Sequence, residues 1–308
     1  MAGLNRRQFV HGLGATLAAP ALLRAGRREP RFPIGFSTLG CPGWDWKTIL
    51  ENASAWGYPA IELRGIQGEM DLAKRPEFEG SRLQETRKSL RALDLVVSDL
   101  GSSAHFHDRS PAERSRNLDE GRRFVDLAHA LGVPYVRVFG NDLPGDEAPD
   151  AVMRRIAAGL RALGEHAKGS GVVVLLESHG DLVTSPVLGK VLGDAGSGVA
   201  LLWDTHHTVV TGHEPAAVTF AALGGLVRHT HLKDSRREGD GRRYVLTGQG
   251  DVPLQDTVRV LATGGYTGFY GFEWEKFWHP EIEEPEVAFP HYARTLGGYL
   301  AEAGVRAV

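Results

Sequence analysis

Four residues with metal-binding side chains stand at the ends of short apolar runs in the second half of the chain. They are Glu177, Asp204, His231 and Glu273. Although one such carboxylate often serves only as a helix cap, burying it at a strand end is costly unless it is paired or binds a cation. Three carboxylates and one imidazole form an oxygen-rich set, which favours Mn²⁺, Mg²⁺ or Co²⁺ over a structural zinc ion. We therefore expect one divalent metal ion here, with Mn²⁺ preferred.

The elements that would position these residues repeat along the chain. An apolar, β-branched run followed by an amphipathic stretch occurs eight times. The predicted strands are 32–37, 60–63, 95–98, 135–139, 172–177, 199–204, 226–232 and 268–273. The predicted helices are 46–56, 82–93, 112–131, 148–168, 185–192, 215–223, 254–263 and 285–303. The charged stretch 233–252 is predicted to be a loop over the mouth of the fold.

Eight strand–helix units without a linker predict a single (β/α)8 TIM barrel of the α/β class, with eight parallel strands. Near-continuous apolar strands are typical of a parallel sheet buried on both faces. A doubly wound open sheet is the alternative, but no Gly-x-Gly-x-x-Gly follows the first strand and no phosphate-binding loop motif is present. In a barrel, the carboxyl ends of the strands meet at one mouth, which would bring the four residues together.

Composition limits the function classes. The chain has 308 residues, of which 42% are hydrophobic and 24% charged, so it can bury a core and is not a disordered type. Lys and Arg total 35 against 38 Asp and Glu, which argues against a nucleic-acid partner held by a broad basic surface. A single cysteine, Cys41, excludes an intramolecular disulfide and a cysteine zinc cluster. No apolar run is long enough for a stable membrane span.

The first 25 residues have the pattern of a targeting signal. Arg6 and Arg7 precede the mildly apolar stretch 9–23, a pattern that resembles a twin-arginine (Tat) signal peptide. We predict a signal peptide over 1–25, a barrel domain over 32–304 and a periplasmic or otherwise exported location. This route moves folded proteins, which suits an enzyme loaded with metal before export. The alternative is a basic N-terminus without this role.

Four motifs carry a family resemblance over 32–304. They read LLESHG around Glu177, DTHH from Asp204, HLKD from His231 and FEWE around Glu273. The chain resembles the xylose-isomerase-like barrel superfamily of sugar phosphate isomerases and epimerases, which includes inosose dehydratases and, more distantly, endonuclease IV repair enzymes. The resemblance implies that the four residues bind one metal ion. It also implies that His207 and Arg237 contact substrate oxygens, and that Glu177 and Glu273 serve as the acid and base.

The chain departs from two branches of that family. Val183 stands where the epimerase branch often carries a further Glu, which leaves epimerase activity open. The repair branch has additional metal-binding histidines, but 240–246 reads DGRRYVL without one. Cleavage of abasic DNA is therefore not expected.

Further substrate contacts are predicted near the barrel mouth, each with a simpler alternative. A histidine there could bind a sugar hydroxyl, or else support Glu177 or bond to loop backbone. The charged candidates could touch substrate or form salt bridges, and the aromatic ones could stack on a sugar ring or pack between loops. These candidates are His105, His179, Glu62, Lys233, Trp44 and Trp278.

Proton removal next to a carbonyl fits this set of residues. We predict a metal-dependent sugar isomerase or epimerase that acts through an enediolate on a small, non-phosphorylated sugar or keto-sugar. A lyase, dehydratase or glycoside-cleaving enzyme is the first alternative, because removing the same proton also allows β-elimination. A non-catalytic sugar-binding or partner subunit is the second. Barrels of this kind often pair, so a homodimer is one expected assembly.

Overall fold

Eight parallel strands close into a barrel in the structure, a computed structural model that describes residues 30–307. They are β1 (Ile34–Ser37), β2 (Ala60–Leu63), β3 (Val96–His105), β4 (Tyr135–Phe139), β5 (Val173–Glu177), β6 (Val199–Asp204), β7 (Val227–Leu232) and β10 (Tyr270–Phe272). The order around the ring is β1, β10, β7, β6, β5, β4, β3, β2. Because β1 pairs with both β10 and β2, the sheet has no edge and the predicted TIM barrel is confirmed.

Eight helices cover the outside of this ring close to their predicted positions. They are α1 (Trp46–Ala55), α2 (Gly80–Leu93), α3 (Pro111–Leu131), α4 (Pro149–Ala167), α5 (Ser185–Ala195), α6 (Ala216–Leu223), α7 (Leu254–Thr263) and α8 (Pro285–Glu302). Helix starts follow local chemistry: the Asp45 carboxylate accepts the Thr48 N–H at 2.8 Å, which satisfies one free donor of α1. Helix α3 ends at Gly132, which takes the left-handed conformation that glycine tolerates best.

The apolar residues form two separate cores. The large one lies between the barrel and the helices. A small one, made of Leu175, Ala200 and Leu202, is packed apart from it with contributions from Val173. Successive strand side chains point to opposite faces, so Leu175 shares a face with Glu177 and Leu202 shares one with Asp204. This small apolar layer therefore lies below the two carboxylates within the barrel.

The predicted loop 233–252 contains a hairpin instead. Strand β8 (Asp234–Glu238) pairs antiparallel with β9 (Gly241–Val245), and Asp234 lies opposite Val245. These short strands are rich in charge and lack the apolar alternation that predicts a half-buried strand. Strand β3 also runs on to His105, past the expected end at 98, and His105 pairs there with Phe139 of β4.

The predicted signal peptide over 1–25 lies outside the described residues, so it stays a prediction, as does the exported location. Among the residues from 30 to 307, no helix combines the length and the apolar character that crossing a membrane requires.

Gly180 fixes the loop after β5 against the loop after β4. Its φ is +63°, and a Cβ added there would lie 2.5 Å from the Asn141 carbonyl oxygen. We expect Gly180→Ala to lower the free energy of unfolding by about 2 kcal/mol or more, because it combines a left-handed backbone with a clash against backbone atoms. Urea unfolding measures this. Gly145→Ala is the matched control, since an added Cβ meets no atom within 4 Å; equal losses in both variants would contradict the expectation.

Candidate metal and substrate site

The four predicted ligands converge at the carboxyl end of the barrel. One ligand atom from each of Glu177, Asp204, His231 and Glu273 lies within 4.8 Å of all the others, and all four side chains are buried. Glu177 and Asp204 are the last residues of β5 and β6, His231 is the last but one of β7, and Glu273 directly follows β10. These strands are consecutive neighbours in the ring, which explains how residues far apart in the chain come together.

His231 lies at the centre of this cluster. Its Nδ1 is 3.3 Å from both Glu177 Oε1 and Glu273 Oε2. Its Nε2 is 2.5 Å from Glu62 Oε2 on the opposite side of the ring. Burial lowers the pKa of His231, but the surrounding carboxylates, Glu273 foremost, outweigh it and raise the pKa well above the usual value. Once neutral, the imidazole can present Nδ1 to a cation while Nε2–H donates to Glu62.

Two buried cations balance the carboxylates. Arg137, on β4, places Nε 3.0 Å from Glu177 Oε2, and both side chains are 1% exposed. Burial raises the pKa of Glu177, yet Arg137 and His231 hold it below the usual value. Glu177 is therefore an ionised carboxylate in the folded protein.

Lys233 is enclosed by three carboxylates. Its Nζ lies 2.7 Å from Asp204 Oδ2 and donates hydrogen bonds to Glu273 Oε2 and, at 2.6 Å, to Glu275 Oε1. Burial lowers the pKa of Lys233, but Asp204 and Glu273 outweigh this and raise it well above the usual value. Burial also raises the pKa of Glu275 to about 7. Lys233 is thus a fixed positive charge among acidic groups.

The donor set fits a divalent cation. Glu177 Oε2 and Asp204 Oδ2 are fully buried, and their contacts with Arg137 and Lys233 lack hydrogen-bond geometry. Buried carboxylate oxygens without a directed donor are costly unless a cation completes their coordination. Three carboxylates and one imidazole are hard or borderline ligands, as Mn²⁺ and Mg²⁺ prefer, and zinc accepts them as well.

A cavity of about 530 Å³ opens above this cluster. Its size suits a small ligand. Glu177 and Glu273 reach its surface, so a molecule inside could approach the metal ligands directly. Its charged and histidine lining consists of Arg64, Arg137, Glu177, Glu273, Glu275, His105, His179, His207 and His279.

Four of the predicted substrate contacts line this cavity. His207 Nε2 lies 3.4 Å from Asp204 Oδ2, and its ring centroid is 5.0 Å from that of His179. His179 Nδ1 is 3.1 Å from Asn141 Oδ1, which orients its ring. His105 and Trp278 complete this group, and the Trp278 side chain is 57% exposed. The structure places them where a substrate contact requires, and their roles stay predictions.

The other four predicted contacts lie elsewhere. Arg237 is exposed on β8, turned out by the hairpin, and its backbone N–H donates to the Asp251 carboxylate at 3.0 Å. Trp44 packs between Trp56 and Phe289. Lys233 and Glu62 are buried among site residues beneath the cavity surface. None of these four residues belongs to the cavity lining in the described part of the chain. The geometry therefore does not support direct contact between them and a substrate in this cavity.

Sequence reasoning missed several residues of the cavity wall. Arg137 has a visible signal, because an arginine inside the apolar run YVRVF must find a buried partner. Glu275 also has a visible signal. It stands two positions after Glu273, and in an extended chain side chains two positions apart point to the same side. Arg64 and Tyr244 carry no comparable pattern, since their placement depends on neighbouring loops and on the hairpin.

Asp99 lies deeper in the barrel, beside His229. Asp99 Oδ1 is 3.3 Å from His229 Nε2 and accepts a hydrogen bond from Ser98 Oγ at 2.7 Å. Burial, reinforced by the negative charge of Glu62, raises the pKa of Asp99 to about 7. A carboxyl whose pKa is raised on folding binds more protons in the folded state than in the unfolded one. Stability is therefore lost as the pH rises from about 4 to about 7.

We expect Asp99→Asn to remove this pH dependence. Between pH 5 and pH 8, the stability of the variant should rise relative to wild type by about 2 kcal/mol. Urea unfolding at both pH values measures the difference, and Asp119→Asn on the surface of α3 is the control. A parallel pH profile for wild type and Asp99→Asn would contradict the raised pKa.

The chain is similar in sequence and in fold to known proteins. Residues 50–291 match the family described as xylose isomerase-like TIM barrel. An inosose dehydratase of Bacillus thuringiensis (strain Al Hakam) is 26% identical over 247 residues, covering 70% of this chain and 79% of that protein. An L-ribulose-5-phosphate 3-epimerase of Escherichia coli (strain K12 / DH10B) is 23% identical over 291 residues, covering 89% and 97%. The crystal structure of the IOLI protein with a zinc atom aligns with a TM-score of 0.71 at 17% identity, covering 88% and 97%.

Proposed function

The chain belongs to the xylose isomerase-like TIM barrel family, and from this premise we propose that it is a metal-dependent enzyme that moves a proton next to the carbonyl of a sugar or keto-sugar. Isomerisation or epimerisation is the proposed outcome. The strongest support is the convergence of Glu177, Asp204, His231 and Glu273 below a cavity of suitable size. The epimerase and dehydratase relatives are sugar-modifying or inositol-modifying enzymes by name, which supports this reaction class.

The four residues would hold one divalent ion, for which Mn²⁺ is the proposed choice. A bound divalent ion supplies Lewis-acid polarisation of a carbonyl and a neighbouring hydroxyl. Glu177 and Glu273 come from opposite ends of the ligand row, with β7 and β6 between them in the ring. One carboxylate can therefore accept a proton from one side of a carbon while the other returns a proton from the opposite side.

Neighbouring groups keep these two carboxylates in place and ionised. Arg137 Nε contacts Glu177 Oε2 at 3.0 Å, and Lys233 donates to Glu273. Lys233 and His231 hold the pKa of Glu273 well below its usual value although burial raises it. His207 and His179 stand on the wall beside Glu177 and can bind substrate hydroxyl groups.

Dehydration is the second candidate. Lys233 Nζ bridges Glu273 and Glu275, and the pKa of Glu275 near 7 lets it hold a proton at neutral pH. A carboxylic acid at this place can protonate a leaving hydroxyl after the first proton is removed. The inosose dehydratase relative favours the same outcome.

A panel of ketoses and inososes in D₂O tests the proposal. The full chain, supplied with Mn²⁺, should incorporate deuterium at the carbon next to the carbonyl and release an isomer. An unsaturated product would favour the dehydratase. Binding without exchange, for every compound of the panel, would overturn the proposal in favour of a non-catalytic protein. Export and the periplasmic location remain part of the proposal and are tested by locating the protein after Arg6→Lys with Arg7→Lys.

A further inference from the structure

Arg64 is a buried cation without an acidic partner. Its side chain follows β2 and is 6% exposed. Among the described residues, no carboxylate oxygen lies within 4.0 Å of its guanidinium, whereas Arg137 and Lys233 nearby each have at least one. Buried charges are normally paired, because desolvating an isolated ion is costly. A guanidinium left in this state at a cavity wall indicates that its counterion arrives with a ligand.

The guanidinium of Arg64 is held but not saturated. Its Nη2 donates to Ser103 Oγ at 3.0 Å, and its Nη1 donates to the Gly101 carbonyl at 3.4 Å. A guanidinium has five N–H donors, so three of them have no hydrogen-bond partner among the described residues and are free to bind a ligand. Both Arg64 and Ser103 line the cavity above the metal ligands.

The surroundings are built to fix this side chain. Thr38 Oγ1 accepts the backbone N–H of Arg64 at 2.9 Å and that of Gly65 at 3.2 Å. A Cβ on Gly101 would lie 2.8 Å from Arg64 Cδ and 2.7 Å from Arg137 Nη2. The two arginine side chains thus lie close over a glycine of β3, which leaves Arg64 little freedom to move away.

We propose that Arg64 binds a carboxylate of the substrate, so that the natural substrate is an acidic sugar or keto acid. This inference deepens the proposed function and rests on it. The planar fork of a guanidinium matches the two oxygens of a carboxylate. The charged groups that act on Arg64 are Arg137, which is repulsive, and Glu177, Glu62 and Glu273, which are attractive.

Those three carboxylates favour a monoanion over a dianion. A phosphate carries up to two negative charges and is repelled more strongly by the same acidic neighbours. Burial and Arg137 lower the pKa of Arg64 to about 10, which leaves it charged at neutral pH. Arg64 and Arg137 carry two positive charges against three carboxylates, so the site suits one added carboxylate better than a phosphate group.

Three probes that differ only at C6 test the inference: D-glucuronate, D-glucose and D-glucose 6-phosphate. Calorimetric binding to the full chain with Mn²⁺ should show glucuronate bound about 30-fold more tightly than glucose, as a charge-assisted pair gives. Arg64→Gln should reduce this preference to about threefold or less. Arg64→Lys should keep part of it, and exposed Arg294→Gln on α8 should keep all of it.

Each alternative result has a defined meaning. Glucuronate binding that is no stronger than glucose binding, or absent, overturns the inference. Tighter binding of glucose 6-phosphate that depends on Arg64 overturns the carboxylate in favour of a phosphate. If circular dichroism shows that Arg64→Gln does not fold, Arg64→Lys is used instead. Lysine lacks the planar fork of arginine, so an unchanged preference for glucuronate over glucose in Arg64→Lys would contradict bidentate recognition.

Deuterium exchange on the same samples separates this inference from the proposed function. Binding of the acid that depends on Arg64, without exchange for any compound, supports the carboxylate site while the catalytic proposal fails. Wild type and Arg64→Gln could each exchange deuterium into neutral D-fructose as fast as into 5-keto-D-gluconate. That result supports catalysis and overturns the role of Arg64.

Discussion

Glu273→Gln is expected to prevent tight binding of a divalent metal ion and to abolish the proposed turnover. The substitution replaces a charged ligand with a neutral amide in a cluster where Lys233 already competes for the same oxygen. Loss of a residue that merely orients a ligand weakens metal binding about 10–100-fold, so loss of the ligand itself should cost at least about 100-fold. Elemental analysis after purification and Mn²⁺ titration by calorimetry both measure this.

Glu165→Gln on the exposed face of α4 is the matched control, because it makes the same chemical change far from the barrel mouth. It should leave metal content and affinity as in wild type. If Glu273→Gln and wild type carry the same tightly bound ion, Glu273 is not a metal ligand and the four-residue site is wrong.

Lys233→Met is expected to produce the largest loss of stability. It leaves Asp204, Glu273 and Glu275 buried together without the ammonium group that now contacts all three. Removing one partner of a buried ionic network costs about 3–5 kcal/mol, because the remaining charges stay desolvated. Urea unfolding in the presence of EDTA measures the loss without compensation by a metal ion.

The double variant Lys233→Met with Glu275→Gln tests the cause. Removing one of the three carboxylates should restore at least about 1 kcal/mol relative to Lys233→Met alone, because fewer uncompensated charges remain. Lys190→Met, at an exposed ion pair on α5, should change stability by less than about 0.5 kcal/mol. A loss of similar size in Lys190→Met and Lys233→Met would contradict the role of burial.

The barrel was predictable because its elements are strongly patterned. Runs such as VVVLLE and VALLWD are long enough in apolar, β-branched residues to specify buried parallel strands, and β5 and β6 begin and end within one residue of their predicted bounds. The hairpin β8–β9 was not predictable in this way. Its strands carry charge on most positions, and their antiparallel pairing sets Asp234 opposite Val245 and Arg236 opposite Arg243.

The ring of strand–helix units and the four metal-type residues at strand ends are visible in the sequence, because hydrophobic periodicity and the cost of burying carboxylates are local properties. Which charges face each other depends on how the chain folds in three dimensions. Closure of the barrel sets Glu62 against His231 and encloses Lys233 among acids, while it leaves Arg64 with no acidic partner in the described chain. Such pairings depend on distances across the ring, which no spacing along the chain encodes.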